Sequence, residues 1–418
     1  MTTFKRIILL ISLMMAGEAV FVLPFVVSRI FRPTFLEVFG LTNLQLGSAF
    51  SVYGIVAMFC YFLGGPIADR FPARKLLAIS LMITGLSGFI MATIPNLATL
   101  TLLYAFWGLS TILLFWSPCM KAVRMYGGES AQGSAYGSVD AGRGLIAALM
   151  GTFSVLLFES LLDVDIIDAT TLQKKDIMSQ LITIYSAFII GTGLLIWLLF
   201  PKREKESTVQ TQLSLKGVRE VIKKRSIWYQ AIILLCSYVG YKCTDDFSLY
   251  ASDAFQFDDI KSAHIGTISF WVRPFAAVIA GILGDKLGHS KVTSYAFIIL
   301  IAGSLVIASG WLAPNMVAII IMNIAVMSLG IYGLRGLYYA LFQESKISLS
   351  ITGSAIGFIS IVGYTPDIFM GPLMGFLIDN NPGELGHQYL FGILAIFGFI
   401  GLLASISFRK LNNQLKQS

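Results

Sequence analysis

The chain has 418 residues, 56% of them hydrophobic and only 13% charged, with a formal net charge of +7. A soluble domain carries about 25% charged residues, so the charge needed to solvate two or three soluble domains is missing. That excludes an ordinary soluble fold and points to a polytopic helical membrane protein.

In chain order, apolar runs separated by polar breaks predict spans at residues 6–29, 44–66, 75–94, 97–122, 132–158 and 177–200. Each approaches the roughly 20 residues a helix needs to cross the hydrocarbon core, where every backbone group must be satisfied internally. MTTFKR before the first run looks like the start of a signal peptide. No small-residue cleavage site followed by soluble sequence appears, so the first span is read as retained. Then comes PKREKESTVQTQLSLKGVREVIKKRS (201–226), basic, with an amphipathic stretch at 213–224. Six more spans follow at 227–250, 262–284, 291–311, 314–342, 351–378 and 388–408. The expected fold class is an all-α membrane protein of twelve transmembrane helices in two six-helix bundles, 1–200 and 227–418, joined by the linker 201–226.

Cys60, Cys119, Cys236 and Cys243 fall in predicted spans with no CxxC or Cys/His spacing, so no disulfide framework, metal or cofactor is expected. His264, His289 and His387 lie near span ends. With both termini and the linker in the cytoplasm, 21 Lys and Arg fall on the cytoplasmic side. Five fall outside: Arg29, Arg32, Lys174, Lys175 and Lys261. The positive-inside rule favours that orientation, and topology rather than nucleic-acid binding accounts for the basic balance.

GPIADRFPARK (65–75) closes the second span and GILGDKLGHSK (281–291) the eighth. Both place Asp four residues after Gly and a basic residue directly after the Asp. Asp69 and Asp285 are 216 residues apart, close to half the chain. Two copies at the same place in two six-span halves indicate a duplicated transporter. Here the chain resembles the major facilitator superfamily over essentially its full length. The family's loop is matched by Gly65, Asp69, Arg70, Arg74 and Lys75, with Pro72 for the family glycine. It is matched again by Gly281, Asp285, Lys286, Gly288 and Lys291, with Ser290 for a basic residue. The resemblance implies two bundles around a central cavity and alternating-access transport. Asp69, Arg70, Arg74, Lys75, Asp285, Lys286 and Lys291 are then expected to gate; simple topogenic charge is the alternative. FVVSRIFRPTFLEVFGLTNLQLGSAFSVYGI (25–55) is similar to the organophosphate:phosphate exchanger branch, which makes Arg29 a phosphate-binding candidate. That branch's second arginine has no counterpart on the seventh helix, where Lys242 is the nearest cation.

Nine charges lie within spans: Glu18, Asp140, Arg143, Lys242, Asp245, Asp246, Arg273, Arg335 and Asp367. Each costs about 2.5–3.5 kcal/mol at the bilayer centre on insertion scales, so they must line water or pair. Counting about 1.5 Å per residue puts Glu18, Arg143, Arg273 and Asp367 nearest the midplane, where such carriers bind substrate. Asp140 and Arg143 share a helix face, as do Lys242 and Asp246, so each pair is read either as self-neutralising or as functional. Asp245 is then left for Arg273. Arg335, nearer the cytoplasm, is read as gate or ligand. Glu18 has no charged neighbour within a helical turn. Burial favours the neutral form of a lone carboxyl, which makes it the leading proton-coupling candidate, or else a protonated structural side chain. Asp140, Asp245 and Asp246 are further proton-coupling candidates. Arg29, Arg143, Lys242, Arg273 and Asp367 are candidate substrate ligands, with Tyr241, Trp271 and Tyr364 as cavity walls. Gly133-x3-Gly137, Gly353-x3-Gly357 and Gly371-x3-Gly375 mark close helix contacts.

The expected activity is secondary active transport of a small polar anionic or zwitterionic solute, proton-coupled, by a monomer in a bacterial inner membrane. Drug or siderophore export and a non-transporting sensor are the alternatives. DAGRGLIAALMG (140–151) has the glycines but not the proline of exporter branches. No nucleophile–base constellation suggests an enzyme.

Overall fold

A computed structural model describes residues 3–127, 132–162, 165–166, 168–201, 221–338, 340–344 and 349–417. Among them the regular structure is entirely helical. The twelve spans become α1 (Thr3–Phe21, then Val22–Val26 and Val27–Ile30), α2 (Asn43–Arg70), α3 (Ala73–Ala92), α4 (Leu97–Gly108, then Leu109–Trp116 and Ser117–Gly127), α5 (Gln132–Ser160) and α6 (Thr171–Leu199). There follow α7 (Arg225–Cys243, then Thr244–Asp246 and Phe247–Phe255), α8 (Asp259–Leu287), α9 (His289–Ala308), α10 (Val317–Leu337), α11 (Leu349–Gly363 and Pro366–Asn380) and α12 (Glu384–Gln417). An extra short helix, Arg32–Phe39, follows α1. Most of the 201–226 linker, with most of its amphipathic stretch 213–224, lies outside the described residues. So does the packing of Gly133, Gly137 and Gly353.

Among the described residues, eleven helices are long and apolar enough to cross a membrane. The exception is α7, where a 3₁₀ turn at Thr244–Asp246 cuts the helix and charged side chains interrupt its apolar run. An even number of helices separates the N-terminus, the 201–226 segment and the C-terminus, so all three lie at one end, the linker end. Of the helices returning from the opposite, far end, α2, α4, α6 and α8 begin with side-chain caps. Thr42 and Thr170 form capping boxes with Gln45 and Gln173, Asn96 accepts from the Thr99 amide, and Asp258 accepts from the Lys261 amide. These oxygens satisfy amides that the first turn leaves without partners.

One apolar core draws on residues 9–200 with Ala263 and Phe270, and another on residues 233–408. Phe59, Leu102, Leu198 and Ile396 point outward, as expected where lipid replaces water. α2 packs along α11 and α5 along α8. The α2–α11 approach brings backbone against backbone: a Cβ on Gly47 would stand 2.1 Å from the Gly371 carbonyl oxygen, and one on Gly375 2.4 Å from Leu44 Cα. Only glycine fits that contact.

Candidate functional site

Helices α1, α7 and α11 lose regularity near their buried polar residues, and α8 carries a proline beside one. α1 widens to a π-helical turn at Val22–Val26, where Pro24 supplies no amide donor. α7 tightens at Thr244–Asp246, and α11 restarts at Pro366, the residue before Asp367. In α8, Pro274 follows Arg273 inside the helix. Discontinuous helices with polar groups at depth are how transporters build a binding site in a membrane.

Two tiers of charge result. In the tier nearer the far end, Arg29 Nε donates to Asp245 Oδ1 at 2.5 Å. Lys242 Nζ lies 3.2 Å from Asp245 Oδ2 and 3.6 Å from Asp367 Oδ1. The Tyr238 hydroxyl donates to both Asp367 oxygens, at 3.2 and 3.1 Å. Arg32 donates to Asn43 Oδ1 through Nε and Nη2, at 3.1 and 3.0 Å. Lys242 is also held over the rings of Phe25 and Phe50, at 4.8 and 5.4 Å. In the tier nearer the linker end, Arg273 Nη1 donates to both Glu18 oxygens at 3.3 Å, and its Nη2 donates to Asp140 at 3.3 Å. Arg143 lies 3.4 Å from Glu18 and 3.7 Å from Asp140. Tyr241 joins the tiers: its hydroxyl accepts from Arg29 Nη1 at 3.4 Å, and the Arg335 guanidinium lies 4.0 Å from its ring centroid.

Several expectations change. Lys242 is not neutralised by Asp246 but by Asp245 and Asp367, because the 3₁₀ turn rotates Asp246 away. Asp246, fully buried, instead meets His387 Nδ1 at 2.7 Å, and His387 Nε2 meets Asp253 at 3.2 Å. Asp245 belongs to Arg29 across the two halves, leaving Arg273 to Glu18 and Asp140. Glu18 is not isolated: it sits between two arginines that sequence proximity could not reveal. Arg29 and Arg32 are 3% and 2% exposed and are not loop charges. Trp271 is half-exposed, and its indole N–H donates to Thr152 Oγ1, away from the charged tiers. Tyr364 stacks on Tyr61, with ring centroids 5.6 Å apart, and meets Tyr238 edge-on.

At the linker end Asp69, Arg70, Lys75, Asp285 and Lys286 are exposed. Arg74 donates to the Trp197 carbonyl at 2.6 Å, His289 lies 3.6 Å from Asp285, and Lys291 is 5.9 Å from the Tyr295 ring. Glu344 accepts from the Ser290 amide at 3.1 Å. Each of these contacts stays within one half. At the far end, contacts cross between halves. Asp379 of α11 accepts from the Asn43 and Leu44 amides of α2 at 3.1 and 2.8 Å. Lys174 joins Glu37 and Asp259, both at 2.8 Å. Burial pushes the Glu37 carboxyl up, but hydrogen bonds from Lys174 and Thr171 outweigh it and hold the group below its ordinary range.

Sequence reasoning missed Arg32, Asn43, Tyr238, Tyr332, Asp379 and His387. Tyr238 was within reach: with Tyr241 and Asp245 it keeps the three- and four-residue helical spacing of one face. Asp379 had no signal, because its partners are backbone amides. Among the described residues no three His, Cys, Asp or Glu side chains converge as a metal site requires; both ring nitrogens of His387 are already engaged.

The sequence profile of the Major Facilitator Superfamily matches residues 7–365. The chain belongs to the Major Facilitator Superfamily. It is 27% identical to inner membrane protein YihN of Escherichia coli K12, covering 100% of this chain and 98% of that one. Its fold is like that of a bacterial homologue of the human lysosomal transporter Spinster in an inward-facing, unoccupied conformation. The TM-score is 0.73 at 15% identity, over 98% of this chain and 99% of that one. The nucleoside transporter NupG superposes with a TM-score of 0.70 at 16% identity, over 98% and 100% of the two chains. The superfamily fold makes this an integral membrane protein of transporter architecture.

Across the two tiers, six cations (Arg29, Arg32, Lys242, Arg143, Arg273, Arg335) face four carboxylates (Asp245, Asp367, Glu18, Asp140). Cations outnumber carboxylates at this centre, and uncompensated buried charge is strongly unfavourable.

Proposed function

We propose that the protein is a secondary active transporter that moves a small polar organic anion across a bacterial inner membrane by alternating access, coupled to protons. The excess of buried cations over carboxylates carries this reading. An organic anion supplies the missing negative charge, and a neutral solute does not. Bundles 1–200 and 227–418 rock about the tiers as a monomer, with termini and linker in the cytoplasm. The far-end clasps, Asp379 on α2 and Lys174 on Asp259, close one side, and the Asp69 and Asp285 loops gate the other.

Glu18, Asp140 and Asp245 each have a guanidinium within 3.5 Å. Asp367 has a phenol and a lysine at 3.6 Å, so losing its negative charge breaks the weakest ion pairing of the four. Asp367 is therefore the preferred proton carrier in this reading.

Uptake into proteoliposomes tests it, using carboxylate, phosphate and sulfonate solutes beside neutral solutes of equal size, with and without an imposed pH gradient. Gradient-dependent accumulation of an anion is expected. Equal uptake of the neutral solutes, or indifference to the gradient, would overturn it.

A further inference from the structure

Two side chains on α10, Arg335 half-buried and Tyr332 buried, each carry an enclosed polar atom with no hydrogen bond, and both face Tyr241. Arg335 Nη1 is shut off from solvent and makes no hydrogen bond. Among the described residues no carboxylate lies within ion-pair distance of it, and its contact is the Tyr241 ring at 4.0 Å. Tyr332, three residues earlier and hence on the same helix face, is 1% exposed. Its hydroxyl is buried and meets no partner in hydrogen-bond geometry, and the neighbouring Ser269 hydroxyl donates instead to the Gly266 carbonyl at 3.1 Å. The Tyr332 and Tyr241 rings are 6.3 Å apart. Arg29, Arg143 and Arg273, by contrast, each have a carboxylate. A buried donor left unfilled is a standing cost that an acceptor relieves.

We propose that Arg335 and Tyr332 form the seat for the oxyanion group of the substrate, a carboxylate, phosphate or sulfonate. The ligand's oxygens accept from Arg335 Nη1 and from the Tyr332 hydroxyl, while the Tyr241 ring face fixes the guanidinium plane. A guanidinium fork matches two oxygens on one atom, which favours an oxyanion over a lone hydroxyl or halide. The seat rests on the anion-transport reading above and moves Arg335 from gate to ligand.

Thermal-shift titration of the detergent-purified full chain with gluconate, glycerol 3-phosphate and isethionate at constant ionic strength tests the seat, with glucose as the neutral control. Wild type is stabilised by at least one anion and not by glucose. Arg335→Gln raises the apparent Kd for that anion tenfold or more, and Tyr332→Phe raises it about threefold. The unliganded midpoint of Arg335→Gln does not fall, because an unpaired buried charge has been removed; a merely structural arginine would lower it. Should Arg335→Gln fail to fold, Arg335→Lys, which keeps the charge without the fork, takes its place beside Tyr332→Phe. Affinities within twofold of wild type in both variants overturn the seat while leaving anion binding in place. A wild type stabilised by none of the three anions overturns the underlying anion reading and the seat with it.

Discussion

Arg29 and Asp245 are 216 residues apart in the chain, yet their side chains meet at 2.5 Å in the buried centre, one from each half. Asp245 also holds Lys242, so a single carboxylate compensates two cations on different helices. Under the proposed alternating-access motion, rocking of the halves stretches the Arg29 contact and spares the Lys242 contact, which lies within α7.

Removing that carboxylate strands Arg29 and leaves Lys242 with Asp367 alone. Asp245→Asn is expected to lower stability by about 3–5 kcal/mol, the usual result of breaking a buried pair from one side. The readout is a lower thermal midpoint in detergent. Adding Lys242→Met to Asp245→Asn should recover part of the loss; a midpoint equal to wild type in the single variant would show that the pair is not maintained.

Asp379 caps the start of α2 from α11 through two backbone amides. Asp379→Ala leaves those donors to water at a cost of about 1 kcal/mol. It should also speed hydrogen exchange of the Asn43 and Leu44 amides. Unchanged exchange at those two positions would mean the clasp does not hold the far end shut.

Asp367 is the proposed proton carrier, so Asp367→Asn should abolish accumulation driven by a pH gradient while sparing counterflow exchange of the same solute. Normal concentrative uptake by this variant would return the role to Glu18, Asp140 or Asp245.

Glu37 sits below its ordinary carboxylate range because Lys174 and Thr171 hydrogen-bond its charged form. Its folded-state value is depressed, so its stabilising contribution is complete above the ordinary value of 4.5 and fades as the pH falls below it. Wild type should therefore exceed Glu37→Gln in thermal midpoint at pH 7, with the gap closing as the pH falls below 4.5. A gap that persists at low pH would assign the difference to packing.

The twelve spans were legible in the sequence because the length and polarity of an apolar run decide whether a helix can cross a bilayer. The matching loops at Asp69 and Asp285, half a chain apart, were legible for a similar reason: both are local patterns. The sequence also required that the charges at depth be compensated, since none can face lipid alone. It did not choose the partners. Local spacing suggested Lys242 with Asp246 and left Glu18 alone, but a 3₁₀ turn at Thr244–Asp246 redirects one carboxylate to His387 and another to Arg29. Packing of α1, α5 and α8 brings Arg143 and Arg273 to Glu18. Ion pairing falls off over a few ångströms, whereas these partners stand more than a hundred residues apart. Only the tertiary arrangement of helices decides which cations are taken and leaves Arg335 with an aromatic face in place of a carboxylate.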